Sequence, residues 1–192
     1  MPTITTFLST TLDGVVQAPG RPDEDRRGGF AHGGWAAGYA DEVSMAFAGE
    51  GMARGGPLLL GRRTYEDLLG FWTTTPEPNP FTDVLVAAPK LVVSRSARTA
   101  LGYPNSTLLA GEATSSVAAL GDEVGDLTVL GSIELVTALE AAGLVDTHIL
   151  SIHPIVLGSG RRLFTGTVRR DLRLQRSITT TTGVIIAVYG RI

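Results

Sequence analysis

Cysteine is absent from the 192 residues, which excludes disulfides, thiolate nucleophiles and cysteine-ligated metal. No apolar run approaches the roughly 18 residues of a membrane helix, so no span is expected. The first eleven residues carry no basic segment ahead of a long apolar stretch, so no secretory leader is expected either. Neither sign of charge dominates: 16 Lys and Arg against 19 Asp and Glu leave a net charge of −3. That balance argues against nucleic acid or an anionic membrane as the main partner. The phosphate-loop pattern G-x-x-x-x-G-K-[ST] is missing, as are internal repeats and low-complexity segments. His32, His148 and His153 lack the i, i+4 spacing and carboxylate neighbours of a metal site, so no metal is expected. What is present, 43% hydrophobic and 18% charged residues, fits one globular domain over residues 1–192. It is expected to be cytoplasmic and to act on a small molecule, alone or as a homodimer.

Strand-like and helix-like segments alternate along the chain. Thr3 to Thr10 reads as a strand ending at the Asp13-Gly14 turn. Pro19 to Gly34 has no apolar period and reads as a long mobile loop, a candidate lid. Ala36, Ala40, Val43 and Phe47 form a helical stripe ending near Gly49 and Gly51. Leu58 to Leu60 is a strand, and a short helix through Tyr65, Leu68 and Leu69 stops at Gly70. Thr73 to Pro80 is rich in proline and reads as loop. Strands follow at Lys90 to Ser94 and Thr107 to Ala110, then a helix from Ser115 to Leu120 capped by Thr114. Leu127 to Leu130 is a buried strand turning at Gly131-Ser132 into a helix that Gly143 ends. Asp146 to His153 alternates as a strand, and Leu172 to Ile178 with Val184 to Tyr189 form a closing hairpin. The class is α/β: three layers, αβα, with a mostly parallel mixed sheet and a C-terminal antiparallel hairpin.

Leu58-Leu59-Leu60-Gly61-Arg62-Arg63-Thr64-Tyr65-Glu66 carries the strongest chemical signal. An apolar strand ends in glycine, and two fixed positive charges and a hydroxyl open a helix. Such a helix start offers unpaired amide groups, a partial positive charge and forked guanidinium donors matching phosphate oxygens. Paired arginines on a solvated helix face are the competing reading. Ligands of such sheets bind beyond the carboxyl ends of the strands, where both Gly61 and Gly131 fall.

The order of these motifs resembles a known family. Ser9-Thr10-Thr11-Leu12-Asp13-Gly14 comes first, then Gly34-Trp35 with Tyr39-Ala40-Asp41-Glu42, then the Gly61 run, then Lys90-Leu91-Val92-Val93-Ser94. Leu130-Gly131-Ser132, Gly143-Leu144-Val145-Asp146 and the segment Pro154-Ile155-Val156-Leu157-Gly158-Ser159-Gly160-Arg161-Arg162-Leu163-Phe164 follow. The chain is similar to the dihydrofolate reductase-like superfamily, and within it to small bacterial proteins like the reductase domain of the bifunctional riboflavin biosynthesis enzyme.

This resemblance implies NADPH as cofactor and hydride transfer to a C=N or carbonyl carbon of a small heterocycle or sugar-derived imine. It implies that Gly61, Arg62, Arg63 and Thr64 hold phosphates and that Ser94 with Arg95 meets the 2′-phosphate. Leu130, Gly131 and Ser132 would lie under the pyrophosphate, with serine where related reductases carry a second glycine; capping the next helix is the other reading of Ser132. Dihydrofolate reductases place a carboxylate on the helix after the first loop. Here Glu42 falls beside Tyr39 and Ala46 at the rim of the apolar stripe, whereas Asp41 points away. Glu42 is therefore the expected proton donor, although an ungapped count back from Gly61 reaches Met45. Asp13, in the turn where substrate and nicotinamide meet in the family, is the second catalytic candidate. Trp35 and Tyr39 would stack on a flat substrate or pack in the core, and Pro154 and Gly158 belong to the loop beside the substrate. The alternative to an enzyme is a non-catalytic NADP(H)-binding or interaction protein retaining the fold.

Overall fold

A computed structural model of the chain describes residues 1–76, 80–165 and 169–192. Its strands are β1 (Ile4–Thr11), β2 (Leu58–Gly61), β3 (Lys90–Ser94), β4 (Ser106–Ala110), β5 (Leu127–Leu130), β6 (Thr147–His153), β7 (Leu172–Thr179) and β8 (Ile185–Arg191). Its helices are α1 (Glu42–Arg54), α2 (Arg62–Thr74), α3 (Pro80–Ala87), α4 (Ala113–Ala118) and α5 (Ile133–Ala141). The strand order is β4-β3-β2-β5-β1-β6-β8-β7. The expected α/β class with a mixed, mostly parallel sheet and a C-terminal antiparallel hairpin is what the chain forms. The chain divides into two compact units, residues 1–6 with 51–145 and residues 7–50 with 146–192.

The first unit holds the parallel ladder β4-β3-β2-β5. Its core joins Leu60, Tyr65, Leu69, Leu85 and Val92, all buried, with Trp72, Phe81 and Tyr103 against them. The Tyr65 hydroxyl donates to Ser106 Oγ at 3.1 Å and accepts from the Tyr103 amide at 3.0 Å, so a buried ring keeps its polar end satisfied. Lys90 is fully buried on β3. Its Nζ donates to the carbonyls of Leu85, Val86 and Ala88 at 2.9, 2.9 and 2.6 Å. An ammonium thus closes the C-terminal end of α3, where the helix leaves carbonyls unpaired. Burial pushes the Lys90 pKa down.

Three expectations are corrected in this unit. Gly70 does not end α2, which continues to Thr74; the Thr73 and Thr74 hydroxyls bond back to the carbonyls of Leu69 and Gly70. The proline-rich stretch is not all loop, because α2 enters it and Pro80 opens α3, proline being compatible with a first helical turn; Glu77 to Asn79 lie outside the described residues. The cap of α4 is Glu112, not Thr114. The Glu112 carboxylate accepts from the Ser115 amide at 3.0 Å, and Thr114 Oγ1 donates to the same oxygen at 2.5 Å.

The second unit pairs β6 with β8 and β8 with β7, both antiparallel. One cluster joins Phe47 of α1 to Val184 and Ile186; another joins Val15, Ala18, Phe30 and Trp35. The expected helical stripe from Ala36 begins later than its period predicts. Gly34 and Gly38 take positive φ, and α1 starts only after Asp41. Asp41 Oδ1 accepts the Ser44 amide at 2.8 Å while Ser44 Oγ accepts the Asp41 amide at 2.9 Å, a capping box that fixes the start. The other Asp41 oxygen takes the Thr181 amide and hydroxyl, each at 2.6 Å, tying α1 to the hairpin turn.

The segment from Pro19 to Gly34 is tethered, contrary to the mobile loop expected of it. Gln17 is buried, and its Nε2 donates to the carbonyls of Asp25 and Arg27 at 3.1 and 3.0 Å. Phe30 is buried, and the Gly34 amide donates to Ala18 O at 2.8 Å.

Candidate functional site

In the first unit, β2 neighbours both β3 and β5 in parallel, so the turns after Gly61, Ser94 and Leu130 leave the ladder at the same end. The three turns expected to meet one cofactor thus follow adjacent parallel strands. Gly61 is extended, and α2 starts at Arg62 without a side-chain cap. Its first amides are therefore orphan donors at the positive end of the helix. Gly131 has φ +55°, and a Cβ there would stand 3.3 Å from Thr64 Cγ2, so the two turns approach with little room for a side chain.

Ser132 makes that approach a bond: its Oγ accepts the Gly61 amide hydrogen at 3.0 Å. It does not cap α5 through its side chain, although it stands at the cap position.

The arginines are paired at the surface. Arg62 Nη1 reaches both oxygens of Glu66, at 3.0 and 2.9 Å, and Arg63 Nη1 lies 3.5 Å from Glu134 Oε1. Such exposed pairs are worth about 0.2–1 kcal/mol, so an incoming phosphate can outcompete them. Ser94 is buried, with its Oγ 2.7 Å from Thr99 Oγ1 and accepting the Ser96 amide at 3.3 Å. Arg95 and Arg98 are exposed on the same loop. Among the described residues neither has an ion-pair partner.

The second unit holds the residues assigned to substrate and chemistry. Asp13 is a clamp for the segment beyond β6. Its Oδ1 accepts Thr11 Oγ1 at 2.6 Å and the Leu157 amide at 3.2 Å. Its Oδ2 accepts the Gly158 amide at 2.9 Å and Arg162 Nη2 at 3.4 Å, while Arg162 Nε donates to the Asp13 carbonyl at 2.8 Å. The Thr11 hydroxyl and the two amides hold the Asp13 carboxyl well below the usual carboxylate range. At neutral pH it is a carboxylate with no proton to give.

Gln17 Oε1 accepts the Arg161 amide at 3.0 Å and holds the same segment from the other side. Gly158 is thus tied, whereas Pro154 is exposed. Trp35 is buried, its indole N–H donating to Gln17 O at 2.7 Å. Trp35 and Tyr39 both pack perpendicular to the ring of buried His153, with ring centroids 5.1 and 5.3 Å apart. Burial pushes the His153 imidazole down, so it is neutral at physiological pH. Trp35 is a core anchor, Tyr39 is half-buried, and Glu42 is exposed in the first turn of α1.

The roles of Gln17, Arg162 and of Ser132 as a bridge are not expected from the sequence. No local pattern signals them, since the partners of Gln17 and Asp13 are 144 and 145 positions away.

A family model described as the RibD C-terminal domain matches residues 2–186. The chain belongs to the RibD C-terminal domain family. As a member of that family it falls among reductase domains that usually use a nicotinamide cofactor. Among solved structures it is similar to a candidate riboflavin biosynthesis protein from Shewanella sp. PV-4, with a TM-score of 0.70, 21% identity and 99% of each chain covered. It is also similar to a pyrimidine reductase-like protein from Corynebacterium diphtheriae, with a TM-score of 0.65 and 12% identity over 100% of this chain and 92% of that one. At these identities the likeness establishes the fold. The uncharacterized protein YyaP of Bacillus subtilis (strain 168) is 40% identical over 65 residues, which span 33% of this chain and 35% of that relative. Among the described residues no helix is long and apolar enough to cross a membrane, and no cluster of potential metal ligands occurs.

Proposed function

We propose that this RibD C-terminal domain chain is an NADPH-dependent reductase, acting as one domain over residues 1–192 on a small heterocyclic or sugar-imine substrate. The substrate class is that of 5-amino-6-(5-phosphoribosylamino)uracil or a related aminopyrimidine or pterin. The observation that carries the reading is the trio of turns at one end of the parallel ladder, at Gly61, Ser94 and Gly131. The donor set suits an anionic dinucleotide: orphan amides of α2, the guanidinium groups of Arg62 and Arg63, and the Thr64 hydroxyl for phosphates. Ser94 and Arg95 are assigned to the 2′-phosphate, and Leu130, Gly131 and Ser132 to the pyrophosphate. NADPH supplies the hydride when bound.

The chain's own part is orientation and the proton. Asp13 holds Leu157, Gly158 and Arg162, and so shapes the Pro154 to Gly160 loop assigned to the substrate. Half-buried Tyr39 provides flat apolar surface, buried Trp35 anchors the core against the same His153 ring, and Glu42, exposed and unburdened by the contacts that saturate Asp13, is assigned the proton transfer. We assign the protein to the cytoplasm, acting alone or as a homodimer. A second reading, a non-catalytic NADP(H)-binding protein, is favoured by the saturation of Asp13, which leaves Glu42 as the single carboxylate assigned to proton transfer. Oxidation of NADPH followed at 340 nm with an aminopyrimidine ribosylamine separates the two. Turnover that falls at least about tenfold in Glu42→Gln, with NADPH affinity unchanged, supports the enzyme; NADPH binding without turnover supports the binding protein.

A further inference from the structure

Gln17 follows β1 and is 2% exposed, yet both ends of its carboxamide are bonded. Nε2 donates to the carbonyls of Asp25 and Arg27, and Oε1 accepts the amide hydrogen of Arg161. Two acceptors on one side and a donor on the other allow a single orientation of the amide. The backbone carbonyl of the same residue takes the Trp35 indole N–H at 2.7 Å. One buried residue thus joins two segments far apart in sequence, residues 19–34 and the loop after β6.

That loop is pinned at both ends. Asp13 holds Leu157 and Gly158. At the other end the Arg161 amide goes to Gln17, while the Arg161 carbonyl accepts the Val16 amide at 2.9 Å. Phe30, from the 19–34 segment, stands so close to Gly160 that a Cβ added there would lie 2.7 Å from its ring. Val156, Gly158 and Ser159 nevertheless stay exposed. A surface loop held this firmly has its ordering cost met before any ligand arrives.

We infer that Gln17 is a positioning residue: its carboxamide makes the loop after β6 and the 19–34 segment open only together, and so presents that loop to the acceptor substrate in one shape. This role rests on the reading given above, in which the loop borders the acceptor. Loss of the clasp then weakens acceptor binding, because the loop must be ordered on each encounter. The residues assigned to NADPH belong to the other unit, so cofactor affinity is not expected to follow.

Gln17→Met keeps the length of the side chain and deletes all three of its bonds. Gln17→Glu keeps an acceptor for the Arg161 amide and deletes the two donated bonds. Amide hydrogen exchange is followed without ligand on the wild type and both variants, steady-state rates with NADPH and 5-amino-6-(5-phosphoribosylamino)uracil, and NADPH affinity by calorimetry. In the wild type the amides of Gly34, Gly158 and Arg161 are expected to share one opening equilibrium. In both variants they lose protection together, about tenfold or more. Arg161 keeps an acceptor in Gln17→Glu, so its loss there reports the shared opening and not the missing bond. KM for the uracil compound rises about fivefold or more, while kcat and the NADPH Kd change less than about twofold. Unrelated protection of the three amides in the wild type overturns the coupling, even where a variant fails to fold. Protection lost at Arg161 alone, and only in Gln17→Met, overturns it too. An unchanged KM, or an NADPH Kd that rises with it, overturns the positioning role. A wild-type protein that does not turn over the uracil compound overturns the substrate reading and the positioning role with it, and the exchange pattern alone then decides the coupling.

Discussion

Replacing Gly160 with alanine tests whether the loop after β6 is held as tightly as its contacts indicate. Gly160 has φ +117°, a backbone region essentially reserved for glycine, and a Cβ there would stand 2.7 Å from both Phe30 Cε2 and Val15 Cγ1. Both neighbours are buried, so neither can swing into solvent. Backbone strain of about 1–3 kcal/mol adds to an overpacking cost of similar size, together about 2–6 kcal/mol. For a chain of this length that lowers the melting temperature by about 5–20 °C. Gly158→Ala is the control: its φ is +74° with no atom within 4 Å of the added carbon, leaving backbone strain alone. Differential scanning calorimetry should rank wild type above Gly158→Ala and Gly158→Ala well above Gly160→Ala. Equal melting of the two variants, or a Gly160→Ala protein as stable as wild type, would refute the packing argument.

Lys90→Met keeps the bulk of the side chain but leaves the carbonyls of Leu85, Val86 and Ala88 without their donor; a loss of about 2–4 kcal/mol, read as a melting temperature lower by about 5–15 °C, is expected. Asp13 and Asp41 both have carboxyl pKa values lowered below the ordinary 3.8 by their hydrogen bonds, the Thr11 hydroxyl foremost for Asp13 and the Thr181 hydroxyl for Asp41. Because the folded pKa lies below the unfolded one, their stabilisation is fully present above about pH 4 and is lost as pH falls through the folded values. Acid unfolding followed by circular dichroism should therefore begin below about pH 4, and Asp13→Asn should flatten that dependence. An unchanged acid profile in the variant would contradict the clamp.

The strand-glycine-helix units at Gly61 and Gly131 were legible because their signals are local: an apolar run, a glycine and a helical period within a dozen residues. The closing hairpin was legible for the same reason. Helix α3 was hidden because the prolines before it read as breakers, while Pro80 in fact starts a helix. The start of α1 was misplaced because the apolar period runs through Gly38, and the Asp41–Ser44 capping box, not the period, decides the boundary. The saturation of Asp13 could not be read, since its partners Leu157, Gly158 and Arg162 lie 144, 145 and 149 positions further along the chain. Ser132 was visible as a substitution in a glycine pair, but its bond to Gly61 depends on the parallel pairing of β2 with β5.

The central claim is that the turns at Gly61, Ser94 and Gly131 hold NADPH. Calorimetric titration of the full chain with NADPH and with NADH, repeated on Arg95→Ala, tests it most directly. Tighter binding of NADPH by about tenfold or more, with the difference reduced in Arg95→Ala, is the predicted result. Equal affinity for the two nucleotides would contradict the 2′-phosphate assignment, and no binding of either would contradict the account as a whole.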